Sequence, residues 1–185
     1  MQATLIPQIP LGWLVNSRRC YQLMREFELY PDDHERELLA RALSRLRGDN
    51  GGYGAPGANL PETATAVLLA HTVALPSDRT ALTYAQHCER PPYGFNITPS
   101  ATGSSVECQH AGLQVLHAFG TKPVHPGIVR RYIFSCQTTT GGFSRAPGAL
   151  PTLRDSLCAL ECLSMLAGDY LPRRIPPSDA SALPV

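Results

Sequence analysis

The alternation of apolar and polar positions along this chain predicts helices throughout. Three segments are apolar or small on nearly all sides, which is typical of helices that pack on both faces. Each begins with a residue that can cap a helix, followed three positions later by a carboxylate, and this spacing marks helix starts. The three pairs are Asn59 with Glu62, Ser104 with Glu107, and Thr152 with Asp155. We call the three segments the inner helices.

Amphipathic segments precede and separate the inner helices, with apolar residues on one face and charged residues on the other. They predict helices over residues 11–29, 33–47, 77–88 and 126–137. Loops rich in glycine and proline join these elements, at residues 48–61, 91–103 and 138–151. The order of elements predicts an all-α chain built from helical hairpins.

A set of residues recurs 48 positions apart without a gap. The matched pairs are Tyr84 and Tyr132, Cys88 and Cys136, Gly94 and Gly142, Phe95 and Phe143, Pro99 and Pro147, Glu107 and Asp155, Ala111 and Ala159, and Gly120 and Gly168. A looser third copy runs through Gly52, Tyr53, Glu62 and Ala66. Because a period of this size is the signature of a repeat architecture, we expect the hairpins to stack into one continuous core.

Length and charge narrow the class of protein. The 185 residues suit one domain, which we place at residues 1–170, and a proline-rich tail at 171–185 that we expect to be disordered. With 16 basic and 15 acidic residues, the chain lacks the charge excess of a nucleic-acid binder. We find no apolar run of transmembrane length and no signal-peptide pattern. Six cysteines without a Cys-x-x-Cys pair favour reduced thiols and a cytoplasmic location.

Each long loop contains a Gly-aromatic turn, and in the last loop Gln137, Gly141 and Phe143 have the spacing of a Gln-Trp motif with Phe in place of Trp. This pattern resembles the repeat of protein prenyltransferase β subunits and of squalene-hopene-type terpene cyclases, over residues 40–168. The resemblance implies an α/α toroid, in which inner helices ring a cavity and outer helices pack behind them. Since three to four hairpins are fewer than a closed ring needs, we expect a partial toroid that self-associates or binds a partner subunit.

The resemblance also implies a zinc site. In the prenyltransferases, an Asp-x-Cys pair and a His on successive inner helices hold a zinc ion that activates a substrate thiolate. Glu107, Gln109 and Cys158 fall at these positions, so the Cys and the His are not kept. Glu107, His110 and Cys158 nevertheless offer oxygen, nitrogen and sulfur donors from two adjacent inner helices. These three residues are our candidate zinc ligands, although a carboxylate in a first helical turn also has a purely structural explanation.

Candidate substrate-binding residues are the aromatic residues of the loops and two arginines that could neutralise a diphosphate. They are Tyr53, Tyr93, Phe95, Phe143, Arg145 and Arg154. Other basic positions of the family's diphosphate site fall on Ala64, Ala101 and Ser104, which carry no charge. The acidic motif of a class II terpene cyclase is not found, since Asp32 and Asp33 stand at a helix start. The aromatic residues could equally anchor the loops to the core.

Three functions therefore stay open. The first is a prenyltransferase-like protein that binds an isoprenoid or another apolar ligand and, if active, transfers a prenyl group to a thiol or another nucleophile with the help of zinc. The second is a non-catalytic helical-repeat scaffold or subunit that binds a protein partner. The third is a truncated terpene cyclase-like domain.

Overall fold

The computed structural model describes residues 12–76 and 78–168. As the sequence predicts, this part of the chain is mostly helical, with one short antiparallel sheet. The elements are α1 (Trp13–Glu26), α2 (Asp33–Leu46), α3 (Leu60–Thr72), α4 (Arg79–Cys88), β1 (Glu89–Arg90), β2 (Gly94–Phe95), α5 (Val106–Ala118), α6 (Pro126–Ser135) and α7 (Leu153–Ala167). The predicted tail at 171–185 and the domain end at residue 170 lie outside the described residues.

The helices form two rows. α1 packs against α3, α3 against α5, and α5 against α7, which makes an inner row. α4 lies behind α3 and α5, and α6 lies behind α5 and α7. Leucines of α2 join Leu14 of α1 and Leu69 of α3 in one apolar cluster. This order agrees with stacked hairpins, while the toroid itself stays a prediction.

Two further features concern the length of the helices and the state of the cysteines. No helix in the described ranges is long and apolar enough to span a bilayer. All six cysteines are free thiols, and four of them are buried. Three of the buried thiols, those of Cys88, Cys136 and Cys162, belong to the apolar core between the two rows, where a cysteine acts as a small apolar side chain.

All three inner helices begin with a capping side chain, as predicted. In α5 the cap is the residue next to the predicted one. Asn59 accepts a hydrogen bond from the backbone N–H of Glu62, and Thr152 accepts one from that of Asp155. Ser104 was expected to cap α5, and this is wrong, because Ser105 is the cap. The hydroxyl of Ser104 instead donates to the backbone carbonyl of Phe95. A tertiary hydrogen bond therefore decides which of two adjacent serines caps the helix.

One contact recurs in all three repeats and ties each loop to the inner helix that follows it. The backbone N–H of the loop aromatic donates to the side chain four positions after the helix cap. The three bonds run from Tyr53 to Thr63 Oγ1 at 2.9 Å, from Phe95 to Gln109 Oε1 at 3.1 Å, and from Phe143 to Ser156 Oγ at 2.9 Å. We call this contact the loop clasp. It makes the three copies equivalent in structure although the first is loose in sequence.

A second recurring contact comes from the outer helices. The hydroxyl of Tyr84 on α4 donates to the carbonyl of Ala58 at 2.9 Å, and that of Tyr132 on α6 donates to the carbonyl of Ser104 at 2.7 Å. In each case the acceptor is the residue just before the cap of the preceding inner helix. Burial raises the pKa of both phenols, so they stay protonated donors at neutral pH. We call these contacts the tyrosine anchors.

The aromatic ring of the second repeat rests directly on the backbone of α5. Phe95 is fully buried, and a Cβ atom added at Gly112 would lie 2.3 Å from its ring. Counted from the observed caps, the equivalent positions on α3 and α7 hold small residues as well, Ala66 and Ala159, so at α5 the structural repeat is shifted by one residue from the gapless sequence match. A larger side chain at this position would therefore push the ring, and with it the loop, away from the inner helix.

We predict that Gly112→Ala lowers the free energy of unfolding by about 1–3 kcal/mol, because the new methyl group overlaps the Phe95 ring. Urea denaturation followed by circular dichroism measures the change. Gly127→Ala on α6 is the matched control, since a Cβ there meets nothing within 4 Å. The control should be neutral or slightly stabilising, because alanine is the better helix former. Equal stability of the two variants would contradict the packing described here.

Candidate functional site

Polar side chains line the partly exposed face of α5. Glu107, His110, Gln114 and His117 recur at helical spacing and are all partly exposed, whereas the rest of the helix between them is buried. On the adjacent helix α7, Cys158 and Glu161 are also partly exposed. We call these six residues the polar inner face. It differs from the aromatic-lined cavity that the resemblance implies.

Two arginines meet one carboxylate at the end of this face. Glu107 Oε1 lies 2.7 Å from Arg154 Nη2, and Glu107 Oε2 lies 3.1 Å from Arg145 Nη2. The two arginine side chains are 76% and 65% exposed, so solvent reaches both guanidinium groups. Glu107 is in the first turn of α5, and Arg154 is in the first turn of α7. We call this group the Arg clamp.

One turn further along α5, a histidine bridges the two inner helices. His110 Nε2 lies 2.5 Å from Glu161 Oε2 on α7. Burial alone lowers the pKa of His110, but its contacts with the Cys158 thiol and the Glu161 carboxylate outweigh burial and raise the pKa to about 9. The His110 contact in turn lowers the pKa of Glu161, and the charge of Arg18 on α1 adds to this. At neutral pH the group is therefore an imidazolium–carboxylate pair beside a thiol.

The predicted zinc ligands are only partly brought together. His110 and Cys158 are neighbours, but both oxygens of Glu107 bind arginines. Among the residues that the structure describes, no group of three or more His, Cys, Asp or Glu side chains could hold a metal ion. Zinc binding by these three residues therefore stays a prediction. Sequence reasoning missed Glu161, although its spacing from Cys158 on α7 placed both on one helix face.

The aromatic residues that were predicted to contact a ligand lie in three different environments. The rings of Phe95 and Phe143 belong to the buried core, where the loop clasp holds their backbone. Tyr93 is exposed and meets Tyr132 edge to face, with ring centroids 6.4 Å apart. Tyr53 lines a groove between α2 and α3. Of the predicted substrate residues, Arg145 and Arg154 meet at one carboxylate, that of Glu107.

Gln109, which occupies the cysteine position of the family's zinc motif, has a structural role in this chain. Its side-chain amide is fully buried, accepts from Phe95 N–H and donates to the carbonyl of Tyr93 at 2.8 Å. A buried glutamine with these partners satisfies a loop that would otherwise contain unpaired backbone groups. Gln109 therefore provides the acceptor of the loop clasp in the second repeat.

Comparison with known proteins does not identify a family for this chain. No protein-family model matches the chain, and no curated protein matches it. The fold and the polar inner face define a mostly helical protein with recurring hairpins, in which charged side chains and a thiol gather between two inner helices. The resemblance to the prenyltransferase and cyclase repeat stays a prediction.

We predict that the wild-type protein loses stability as the pH rises from about 6.5 to about 9, because His110 is protonated in the folded state over this range and neutral in the unfolded state. The loss due to His110 should be about 2–3 kcal/mol, and His110→Gln should remove it. Burial also raises the pKa of the Cys88, Cys108 and Cys162 thiols, so both proteins lose some further stability near pH 9, where these thiols ionise in the unfolded state. Urea unfolding at pH 6 and at pH 9 measures it.

The matched control is His87→Gln, since His87 is exposed on α4. This control should keep the full pH dependence. Working above pH 6 keeps Glu161 ionised, because its pKa is lowered from 4.5. A wild type and a His110→Gln variant with the same pH dependence would contradict the imidazolium–carboxylate pair.

Proposed function

We propose that this chain is a prenyltransferase-like α/α-toroid protein that binds an isoprenoid or similar apolar ligand by an anionic head group. The observation that carries the proposal is the Arg clamp, which gathers two exposed guanidinium groups between neighbouring inner helices. The equivalent loop clasps support the repeat architecture on which the proposal rests.

The chemistry of the Arg clamp suits a diphosphate. Guanidinium groups bind phosphate oxygens through paired, charge-assisted hydrogen bonds. Glu107 and Arg154 lie in the first turns of α5 and α7, where the helix dipole adds favourable potential for an anion. Glu107 holds both arginines in place before a ligand arrives, which reduces the entropy lost on binding. The proposal is therefore one of binding, and transfer of a prenyl group with zinc stays a prediction.

Farnesyl diphosphate titrated into the purified protein by isothermal calorimetry tests this function. We expect saturable binding, and we expect Arg145→Gln and Arg154→Gln each to weaken it about tenfold, which corresponds to about 1.4 kcal/mol. Inorganic pyrophosphate should compete, because the head group is what the arginines contact.

Arg131→Gln is the matched control, because Arg131 is an exposed arginine on α6 that takes no part in the Arg clamp. Its affinity should equal that of the wild type. If farnesyl diphosphate does not bind, or if it binds the clamp variants and the control equally, the proposed function is wrong.

A second candidate function, a self-assembling repeat scaffold, is favoured by a different observation. Leu153, Leu157 and Leu160 form one stripe on α7 and are 89%, 56% and 58% exposed. α3 and α5 each have an inner helix on both sides, but in the described part of the chain α7 has one on one side only. A contiguous apolar stripe of this kind marks an interaction surface. We propose that a second copy of the chain covers it.

We predict that the wild-type protein is larger than a monomer by size-exclusion chromatography with light scattering. Leu157→Glu should shift it to the monomer, because a charge would be buried in the interface. Leu38→Glu on α2 is the matched control, since Leu38 is 50% exposed and away from the stripe. A wild type that is monomeric at all concentrations, or a Leu157→Glu variant that stays assembled, would contradict self-assembly.

A further inference from the structure

The exposed leucines of α7 have the spacing of a seam between two paired helices. Leu153, Leu157 and Leu160 follow each other at intervals of four and three positions, and the next position of this series is Ser164, which is partly exposed. Alternating intervals of four and three are those of the residues that meet when two α-helices pack side by side. We call these four residues the α7 seam, which spans about three helical turns.

One edge of the α7 seam is charged. Arg154 follows the first leucine of the seam and Glu161 follows the third, so both lie along the same edge. Each has a partner in its own chain, Arg154 Nη2 with Glu107 and Glu161 Oε2 with His110. Their side chains are 76% and 36% exposed. Because a guanidinium has five N–H donors and a carboxylate has two oxygens, each can also bind a group that arrives from solvent.

This charge pattern selects a direction for a second helix. If a second copy of α7 packs antiparallel on the first, Leu157 lies opposite Leu160 of the second copy, and residues of the same edge meet. Arg154 of each copy then lies beside Glu161 of the other, so two opposite-charge contacts form around a two-fold axis. In a parallel pair, each edge meets the other edge, and Glu161 would face the uncharged Ser156 of the second copy.

The other end of the inner row is a poorer partner for the seam. The exposed apolar residues of α1 include Val15 and Leu23, and the exposed Arg19 lies between them at helical spacing. Docking this face on the α7 seam would place the Arg19 guanidinium over leucine side chains. Burial of a charge in such a place is unfavourable. The α7 seam is therefore more complementary to itself than to α1.

From this pattern we infer that a second copy of the chain docks its own α7 antiparallel on the α7 seam, with Arg154 of each copy beside Glu161 of the other. The inference rests on the self-assembly proposed above and adds the face, the direction and the register of the partner. Because Arg154 is part of the Arg clamp, each copy brings a carboxylate to the edge of the Arg clamp of the other copy.

Mixing two variants of the full chain tests the direction. Leu153 lies opposite Ser164 of the second copy in the antiparallel pair, so Leu153→Glu and Ser164→Lys place opposite charges face to face only in mixed dimers. Native mass spectrometry distinguishes these dimers by mass. Mixed dimers should exceed the half that random pairing gives, because they associate about fivefold more tightly than the unmixed dimers. Both positions are at least partly exposed, so neither change disturbs the core.

The matched control mixes Leu153→Glu with Leu153→Lys. In an antiparallel pair these positions lie at opposite ends of the seam, about 16 Å apart along the helix axis, so mixed dimers should form only by chance. A preference for mixed dimers in this control, or none in the first mixture, would overturn the antiparallel pairing while self-assembly stands. A monomeric wild type would overturn both proposals.

A double-mutant cycle on the dimer dissociation constant tests the charged edge. Arg154→Gln and Glu161→Gln should each weaken dimerisation severalfold, and the double variant should be little weaker than either one. Within one chain the two residues have different partners, so such coupling requires that they meet across the seam. Glu37→Gln is the control, since Glu37 pairs with Arg41 on α2, and it should dimerise as the wild type does. Additive effects of the two changes, measured by analytical ultracentrifugation, would contradict the register.

Discussion

The fold depends on three backbone N–H groups, one in each long loop, that each need a hydrogen-bond acceptor. Each long loop turns back towards the inner row at an aromatic residue, and the amide of that residue is removed from water. A buried amide without a partner costs about as much as a lost hydrogen bond, so an acceptor is required at a fixed place. Thr63, Gln109 and Ser156 supply it in the three repeats. Their common property is a side-chain oxygen, which explains why three different residue types occupy one structural position.

Packing between successive repeats determines where the charged groups meet. The loop clasp holds the last loop on α7, and the Arg145 carbonyl of that loop accepts a hydrogen bond from Val106 N–H of α5 at 2.9 Å. Glu107 then lies within reach of Arg145 and Arg154. The Arg clamp is therefore a product of repeat packing, since its carboxylate and its cations come from successive copies.

The structural features that the sequence predicts correctly are those set by local patterns along the chain. The 48-residue period, the hairpin order and the caps at Asn59 and Thr152 are local patterns. The cap of α5 was misplaced by one residue because Ser104 and Ser105 are equally able to cap, and the choice depends on a bond to Phe95 from another part of the chain. The partners of Glu107 and His110 could not be predicted, because they depend on how α5 packs against α7.

The tyrosine anchors link the folding of an inner helix to the docking of the outer helix behind it. The start of α3 is completed by Tyr84 and the start of α5 by Tyr132, and both tyrosines are synthesised after the helices that they stabilise. An inner helix is therefore finished only when the outer helix behind it has docked, so neighbouring hairpins fold as coupled units in a one-dimensional array. Among the described residues no tyrosine serves the start of α7 in this way. The start of α7 is instead completed within its own repeat, by the Thr152 cap and the loop clasp at Ser156, so it does not wait for an outer helix to dock.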